Sequence, residues 1–170
     1  MPLVYKILSV FLAVFFLNIS FVNGSEIKSI GKFKDWESMV HFNSSEKTCF
    51  AQTKPILQSP KKNDREARLF VSFRPKDKIA DEISVTSGYE YNKQNSITAT
   101  SGKRKYKFDI SQDNFAWIAD NKTEKTMIKT MKKGSRIMIT GYNKSGSQTI
   151  DHYSLMGFSK AYGAAKKNCS

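Results

Sequence analysis

Few residues in this chain have the types and spacing that catalysis needs. Histidine occurs only at His41 and His152, so a Ser–His–Asp arrangement has to use one of them. The local candidate is the segment Asp151-His152-Tyr153-Ser154, but neighbouring residues on a strand point to opposite faces, which argues against a triad within it. A distant carboxylate or serine could still meet either histidine. We therefore expect no enzyme activity, with a hydrolase that uses His152 or His41 as the alternative.

Metal and cofactor chemistry has no pattern in its favour. The carboxylates are scattered rather than paired as glycoside hydrolysis requires. The sequence has no Cys-x-x-Cys spacing and none of the glycine-rich loops that hold nucleotide phosphates. We expect no metal and no cofactor.

The N-terminal segment has the pattern of an export signal. Lys6 supplies a positive charge, residues 7–17 form an uncharged apolar run, and Val22-Asn23-Gly24 precedes Ser25 as a cleavage site. No later stretch approaches the roughly 18–20 apolar residues that cross a bilayer. The sequence predicts a cleaved signal peptide over 1–24 and a single β-rich domain over 25–170. The mature chain is then periplasmic or secreted, with no transmembrane anchor.

Export would place both cysteines in an oxidising compartment. Cys49 and Cys169 are the only cysteines, and both lie in the exported portion. Because disulfides form in oxidising compartments, we expect these two to be bonded. The bond would close a loop of about 120 residues, worth roughly 4–5 kcal/mol in the chain-entropy description.

The charge balance points to an anionic partner. The chain has 28 basic and 15 acidic residues, a net charge of +13. An exported protein meets lipopolysaccharide, lipid headgroups and acidic glycans, so we expect an anionic envelope component or an envelope protein as the partner, and not nucleic acid. The alternative is that the charge only keeps the protein soluble.

Basic residues cluster at three places. They are Lys61-Lys62, Lys129 with Lys132-Lys133, and the group Lys103, Arg104, Lys105 and Lys107. The last group is the predicted anionic-ligand surface, because alternation on a strand sends its three lysines the same way. On an exposed edge strand, the same lysines could instead serve to discourage aggregation.

Two-residue alternation of apolar and polar side chains dominates the rest of the sequence. It is clearest where Leu69, Val71 and Phe73 alternate with polar residues. The predicted strands are 36–42, 48–54, 69–73, 83–91, 96–100, 106–110, 115–119, 136–142 and 148–155. About nine short antiparallel strands indicate a mainly β, single-domain β-sandwich or open barrel.

Two segments have helical spacing instead. Residues 123–133 place Met127, Ile128 and Met131 on one face, with Thr123 as a candidate N-cap. Residues 158–167 end beside Cys169. We expect a short connecting helix and a C-terminal helix that the disulfide holds against the sandwich.

Tyrosines are numerous and allow two interpretations. The six that could form a platform for stacking sugar rings are Tyr89, Tyr91, Tyr106, Tyr142, Tyr153 and Tyr162. The alternative is that they lie at the rim of the core.

Several segments, in this order, resemble the invasion-associated locus B family over residues 36–169. They are Val71-Ser72-Phe73-Arg74-Pro75, Ser87-Gly88-Tyr89, Ala116-Trp117, Met127-Ile128 with Met131-Lys132-Lys133-Gly134, and the block 153–161 ending at Cys169. The resemblance implies a largely β, exported protein of Gram-negative bacteria, periplasmic or envelope-associated, with no catalytic residues to carry over. It also leaves open a secreted factor for adhesion or host-cell invasion.

The most specific part of this resemblance is a Ser-Leu-x-Gly-Phe motif, for which we expect a structural role. Leu155, after Ser154, would finish the last strand with its side chain facing inward. Gly157 would allow a sharp turn, and Phe158 would anchor the helix that follows.

Overall fold

The computed structural model describes residues 25–43, 46–61 and 65–170. The predicted signal peptide over 1–24 lies outside the described residues. The strands are β1 (Glu26–Phe33), β2 (Trp36–Asn43), β3 (Glu46–Thr53), β4 (Leu57–Ser59), β5 (Ala67–Arg74), β6 (Ile79–Ser87), β7 (Ile97–Ser101), β8 (Arg104–Phe108), β9 (Ile110–Gln112), β10 (Phe115–Trp117), β11 (Arg136–Tyr142) and β12 (Gln148–Ser154). The helices are α1 (Asn121–Lys133) and α2 (Phe158–Asn168).

The strands form two antiparallel sheets. Sheet A has the order β1-β2-β3-β5-β6-β10-β9, and sheet B has the order β4-β12-β11-β7-β8. The predicted mainly β sandwich with two helices is confirmed, and the sheets do not close into a barrel. The described chain has twelve strands rather than about nine, because β1, β4 and β9 were not predicted. These three are edge strands or are three residues long, so they carry little alternation.

One contiguous core joins both sheets and both helices. The inner face of sheet A contributes Trp36, Leu69, Val71 and Ile83, all fully buried, and sheet B contributes side chains such as Tyr153. Part of that inner face is covered by α2, which packs on β1, β2 and β3. The opposite, outer face of sheet A carries no second layer in the described part of the chain.

Helix α1 begins at Asn121, two residues before the predicted start at Thr123. Its N-cap is Asp120, whose carboxylate accepts hydrogen bonds from the Thr123 backbone amide at 2.8 Å and the Thr123 hydroxyl at 2.7 Å. The prediction of Thr123 as N-cap was therefore wrong. Aspartate also suits the positive end of a helix dipole, and its bonds to Thr123 lower the pKa of Asp120.

The C-terminal helix is fixed at both ends. Phe158 begins it and is fully buried, with its ring centroid 4.7 Å from that of Trp36. At the other end Cys169 is bonded to Cys49 of β3, with 5.8 Å between the α-carbons. The disulfide thus holds the end of α2 on sheet A, as expected from the sequence. No helix among the described residues is long and apolar enough to cross a membrane.

Candidate anion-binding groove

An open groove of about 760 Å³ runs between the β7–β8 hairpin and helix α1. Five exposed basic side chains line it: Lys103, Arg104, Lys129, Lys133 and Arg136. They come from three parts of the sequence, namely the hairpin turn, the second half of α1 and the start of β11.

The hairpin wall is a two-residue turn. Ser101 pairs with Arg104, so Gly102 and Lys103 form the tip. Gly102 has a φ of 58°, a left-handed conformation that glycine adopts without steric cost. The turn brings Lys103 and Arg104 to the mouth of the groove.

The helical wall follows from the amphipathic character of α1. Met127, Ile128 and Met131 are buried on one side of the helix. The groove is lined from the same helix by residues spaced three or four apart, which lie above one another on a helix surface: Thr126, Lys129, Thr130 and Lys133. Burial of the apolar face therefore directs this lysine and threonine face outwards.

Hydrogen bonds hold the walls together. The Tyr106 hydroxyl of β8 lies 2.7 Å from the Thr130 hydroxyl of α1. The Ser101 hydroxyl donates to the Arg136 carbonyl at 3.0 Å, which ties the hairpin to the start of β11. Because β8 and α1 are joined through buried Tyr106, the groove is formed before any ligand arrives.

The groove is electrostatically one-sided. No carboxylate lines it, and within the described ranges none of its five basic side chains forms an ion pair. Elsewhere on the surface several lysines are paired: Lys28, Lys76 and Lys144 lie within 3.1 Å of glutamate oxygens. Unpaired charges of one sign in a concave site concentrate a positive potential there, which attracts anions.

The structure divides the predicted anionic-ligand surface. Lys103 and Arg104 line the groove, whereas Lys105 and Lys107 project from the outer face of sheet B, opposite Thr100 and Thr98. Lys107 also lies 3.7 Å from a carboxylate oxygen of Asp109.

Sequence reasoning did not join the hairpin to α1. It identified the lysine cluster at 129 and 132–133 as a separate feature, and it did not include Arg136. The i,i+4 spacing of Lys129 and Lys133 opposite buried methionines was the available sequence indication. Lys132 lies elsewhere, with its ammonium 4.0 Å from the ring centroid of Tyr162.

The Ser-Leu-x-Gly-Phe motif lies beside the groove and has structural contacts. The Ser154 carbonyl accepts a hydrogen bond from the Trp36 indole at 2.8 Å. Leu155 and Phe158 are buried, and Gly157 has a φ of 95°. Met156, between them, is 46% exposed and lines the groove.

The two histidines lie apart. His152 is on the outer face of sheet B, while Asp151 points inwards, so the pair faces opposite sides as expected for a strand. The His41 ring lies 2.5 Å from the Ser25 hydroxyl in an exposed position. No hydrogen bond or ion pair joins a carboxylate to either histidine among the described residues.

A buried polar cluster occupies one end of the sandwich. The Arg65 guanidinium contacts both carboxylate oxygens of fully buried Asp151, at 2.5 and 3.0 Å. Nearby, burial raises the pKa of Tyr91 and Tyr153. Both tyrosines lie in the core, as do Tyr106 and Tyr162. The cluster joins the loop before β5 to β12, and its tyrosines form no exposed stacking platform.

Metal-ligating side chains do not converge in the described part of the chain. No three His, Cys, Asp or Glu residues there come together in a way that could hold a metal ion. The groove is lined instead by lysines and arginines, which bind anions through charge and hydrogen bonds.

Comparison with known proteins identifies a family. The family model described as Invasion associated locus B (IalB) protein matches residues 36–166, which is more than half of the chain. The matched region runs from β2 into α2 and includes all five basic residues of the groove. A search of curated proteins finds no match.

Proposed function

The chain belongs to the invasion associated locus B family, and on that premise we propose that it is an exported, non-enzymatic binding protein whose ligand is an anionic component of the cell envelope. One observation carries the proposal. Five exposed basic side chains from three chain segments line one preformed groove, and no carboxylate lines it. A surface that served solubility alone has no reason to collect unpaired charges of one sign in a concavity.

The other lining residues refine the ligand class. The hydroxyls of Ser101, Thr126 and Thr130 also line the groove, but each already donates to a backbone carbonyl, so the basic side chains supply the donors to phosphate or carboxylate oxygens. Met156 adds an exposed apolar side chain at the edge of the groove. This combination suits a phosphate-bearing headgroup attached to an apolar body, as in an anionic lipid or the lipid portion of lipopolysaccharide.

Two features support location outside the cytoplasm. Residues 1–24 have the charge and hydropathy pattern of a cleaved signal peptide. The disulfide between Cys49 and Cys169 is also typical of the periplasm or the extracellular space, because thiols remain reduced in most cytoplasms.

The alternatives from the sequence receive less support. A hydrolase needs a nucleophile, a base and an orienting group in contact, and neither histidine has such a set among the described residues. A role in adhesion or host invasion is compatible with the family but has no described feature of its own. Binding to an anionic envelope component is therefore the function that the groove favours.

Vesicle binding tests the proposal. The mature protein is titrated with vesicles of zwitterionic lipid, with and without anionic lipid or lipopolysaccharide, at about 50 and about 200 mM salt. We expect binding only to the anionic vesicles and a steep loss of affinity at the higher salt, since exposed charges are screened. Equal binding to both vesicle types, or no dependence on salt, would overturn the proposal.

A further inference from the structure

The outer face of sheet A carries a row of aromatic side chains. We define this aromatic row as Phe50 of β3, Phe70 of β5, and Phe115 and Trp117 of β10. Ring centroids in the row are 6.1, 6.1 and 5.8 Å apart from one ring to the next. The solvated face of an antiparallel sheet is normally polar, so such a row is unusual there.

The register explains why the row is continuous. Phe70 and Trp117 both pair with Ser84 of β6, and Phe115 pairs with Thr86. The rings flank these small side chains, which are only 6% and 5% exposed although they lie on the outer face. The rings themselves remain partly exposed because no second layer covers them in the described chain.

The charges on this face are balanced, in contrast to those of the whole chain. The strand positions of the outer face carry three basic and three acidic side chains: Lys32, Arg68, Arg74, Glu37, Glu46 and Glu82. Arg74 forms a two-bond pair with Glu82, at 2.7 and 2.8 Å. The chain as a whole carries a net charge of +13. Two copies therefore repel each other through most of their surface but not through this face.

Ring geometry argues against a sugar as the occupant. Successive rings in the aromatic row are inclined by 64°, 40° and 27°. Only Phe115 and Trp117 stack, so the row as a whole does not form a flat platform. The residues around the rings match a protein interface better than a sugar-binding site. Arginine, methionine and aromatic residues are enriched at such interfaces, whereas lysine and glutamate are depleted. Two of the three glutamates on this face, Glu46 and Glu82, are neutralised by ion pairs with Lys76 and Arg74. Met39 extends the row towards β2, and lysine occurs at the outer-face strand positions only at Lys32, on the edge strand.

We propose that the outer face of sheet A is a homodimer interface in which a second copy of this chain packs its own aromatic row against the first. A two-fold contact brings the same patch together from both copies, so a patch of high net charge would repel its own copy, whereas the charges of this face are balanced. Seven strands about 4.8 Å apart and about six residues long present roughly 600 Å² in projection. That area reaches the lower end of the range for stable interfaces, about 600–1,000 Å² per partner.

The proposal is independent of the anion-binding groove. The groove lies between α1 and the β7–β8 hairpin of sheet B, whereas the proposed interface is the outer face of sheet A.

The molecular mass in solution tests the proposal. Light scattering or sedimentation of the mature protein is measured from about 2 to about 200 µM in about 150 mM salt. We expect the mass to rise from one chain to two across this range. Acrylamide quenching of Trp117 should fall in parallel, while Trp36, fully buried, contributes a constant background.

Two variants make the test specific. Phe70→Lys places a charge at the centre of the aromatic row and should keep the protein monomeric at every concentration. The control is Leu57→Lys, which adds the same charge at a 43% exposed position on edge strand β4 of sheet B, and it should dimerise like the parent. Circular dichroism establishes that each variant is folded, and Trp117→Gln replaces Phe70→Lys if that variant does not fold. A parent that stays monomeric, or a folded row variant that still dimerises, would overturn the proposal.

Discussion

Gly157 lies directly against the backbone carbonyl of Phe33. A β-carbon built on Gly157 would be 1.8 Å from the Phe33 oxygen, and the residue has a φ of 95°. The turn from β12 into α2 therefore fits onto the end of β1 only because residue 157 has no side chain. This contact gives a physical reason for the glycine in the Ser-Leu-x-Gly-Phe motif, and it is structural.

Replacement of this glycine should be severe. We expect Gly157→Ala to lower the free energy of unfolding by about 3 kcal/mol or more, because the clash is with backbone and the conformation is left-handed. The control is Gly163→Ala within α2, where a β-carbon meets nothing within 4 Å. That change should be neutral or stabilise by up to about 1 kcal/mol. Chemical denaturation measures both, and equal effects of the two would contradict the argument.

The disulfide should contribute strongly to stability. Cys49 and Cys169 are 120 residues apart in sequence, so their bond restricts a large part of the unfolded chain. We expect Cys169→Ser to lower the free energy of unfolding by roughly 2–5 kcal/mol. The same comparison in reducing buffer is the control, since the difference should then largely disappear. Two free thiols in the unreduced parent would show that the bond does not form.

Stability should depend on pH through Glu124. Burial, together with nearby Glu82, Asp81 and Asp120, raises the pKa of Glu124 from 4.5 to about 7, against the effect of a hydrogen bond from the Ile83 backbone amide. The folded protein thus holds this proton to higher pH than the unfolded chain does. Its contribution to stability is complete below pH 4.5 and is lost as the pH rises through about 7.

A conservative variant isolates that contribution. Glu124→Gln keeps an oxygen to accept the 2.8 Å hydrogen bond from Ile83 but does not ionise. We expect the parent, relative to this variant, to lose about 1–2 kcal/mol between pH 4.5 and 8 after allowance for solvent screening. Parallel stability curves for the two proteins over this range would contradict the assignment.

The alternation of apolar and polar residues predicted the strands that bury one face. It did not predict the strands that have no buried face. In β5 the buried Leu69, Val71 and Phe73 give a clear period of two. Strand β1 lies at the edge of sheet A and is largely exposed, so its sequence shows no such pattern. The partly exposed aromatic row was not recognised either, because Phe70 between Leu69 and Val71 resembles a core residue.

The groove could be predicted only in part for a similar reason. The sequence places Lys103 and Arg104 at a turn, but nothing local shows that Lys129 and Lys133 lie across from them. That proximity depends on long-range packing of α1, including the Tyr106–Thr130 hydrogen bond. Alternation also grouped Lys105 and Lys107 with the turn residues, although the sheet directs them outside the groove.

The β7–β8 hairpin allows two matched double variants, which test whether the ligand binds the residues in the groove or those on the neighbouring strand. Lys103→Gln with Arg104→Gln removes two charges from the groove, and Lys105→Gln with Lys107→Gln removes two from the neighbouring strand. We expect the first double variant to weaken binding to anionic vesicles by about tenfold and the second by less than about threefold, since contact charges count more than screened ones. The reverse order would favour the strand surface that alternation predicted.

The most direct test of the account compares two triple variants of equal charge. One is Lys129→Gln, Lys133→Gln and Arg136→Gln in the groove, and the other is Lys28→Gln, Lys76→Gln and Lys144→Gln at ion-paired positions elsewhere. Affinity for anionic vesicles is measured at about 50 mM salt. At about 1 kcal/mol per basic residue near an anionic surface, the groove variant should bind between about tenfold and 100-fold more weakly than the parent, and the other within about threefold of it. Equal affinities of the two folded variants would contradict the assignment of anion binding to this groove.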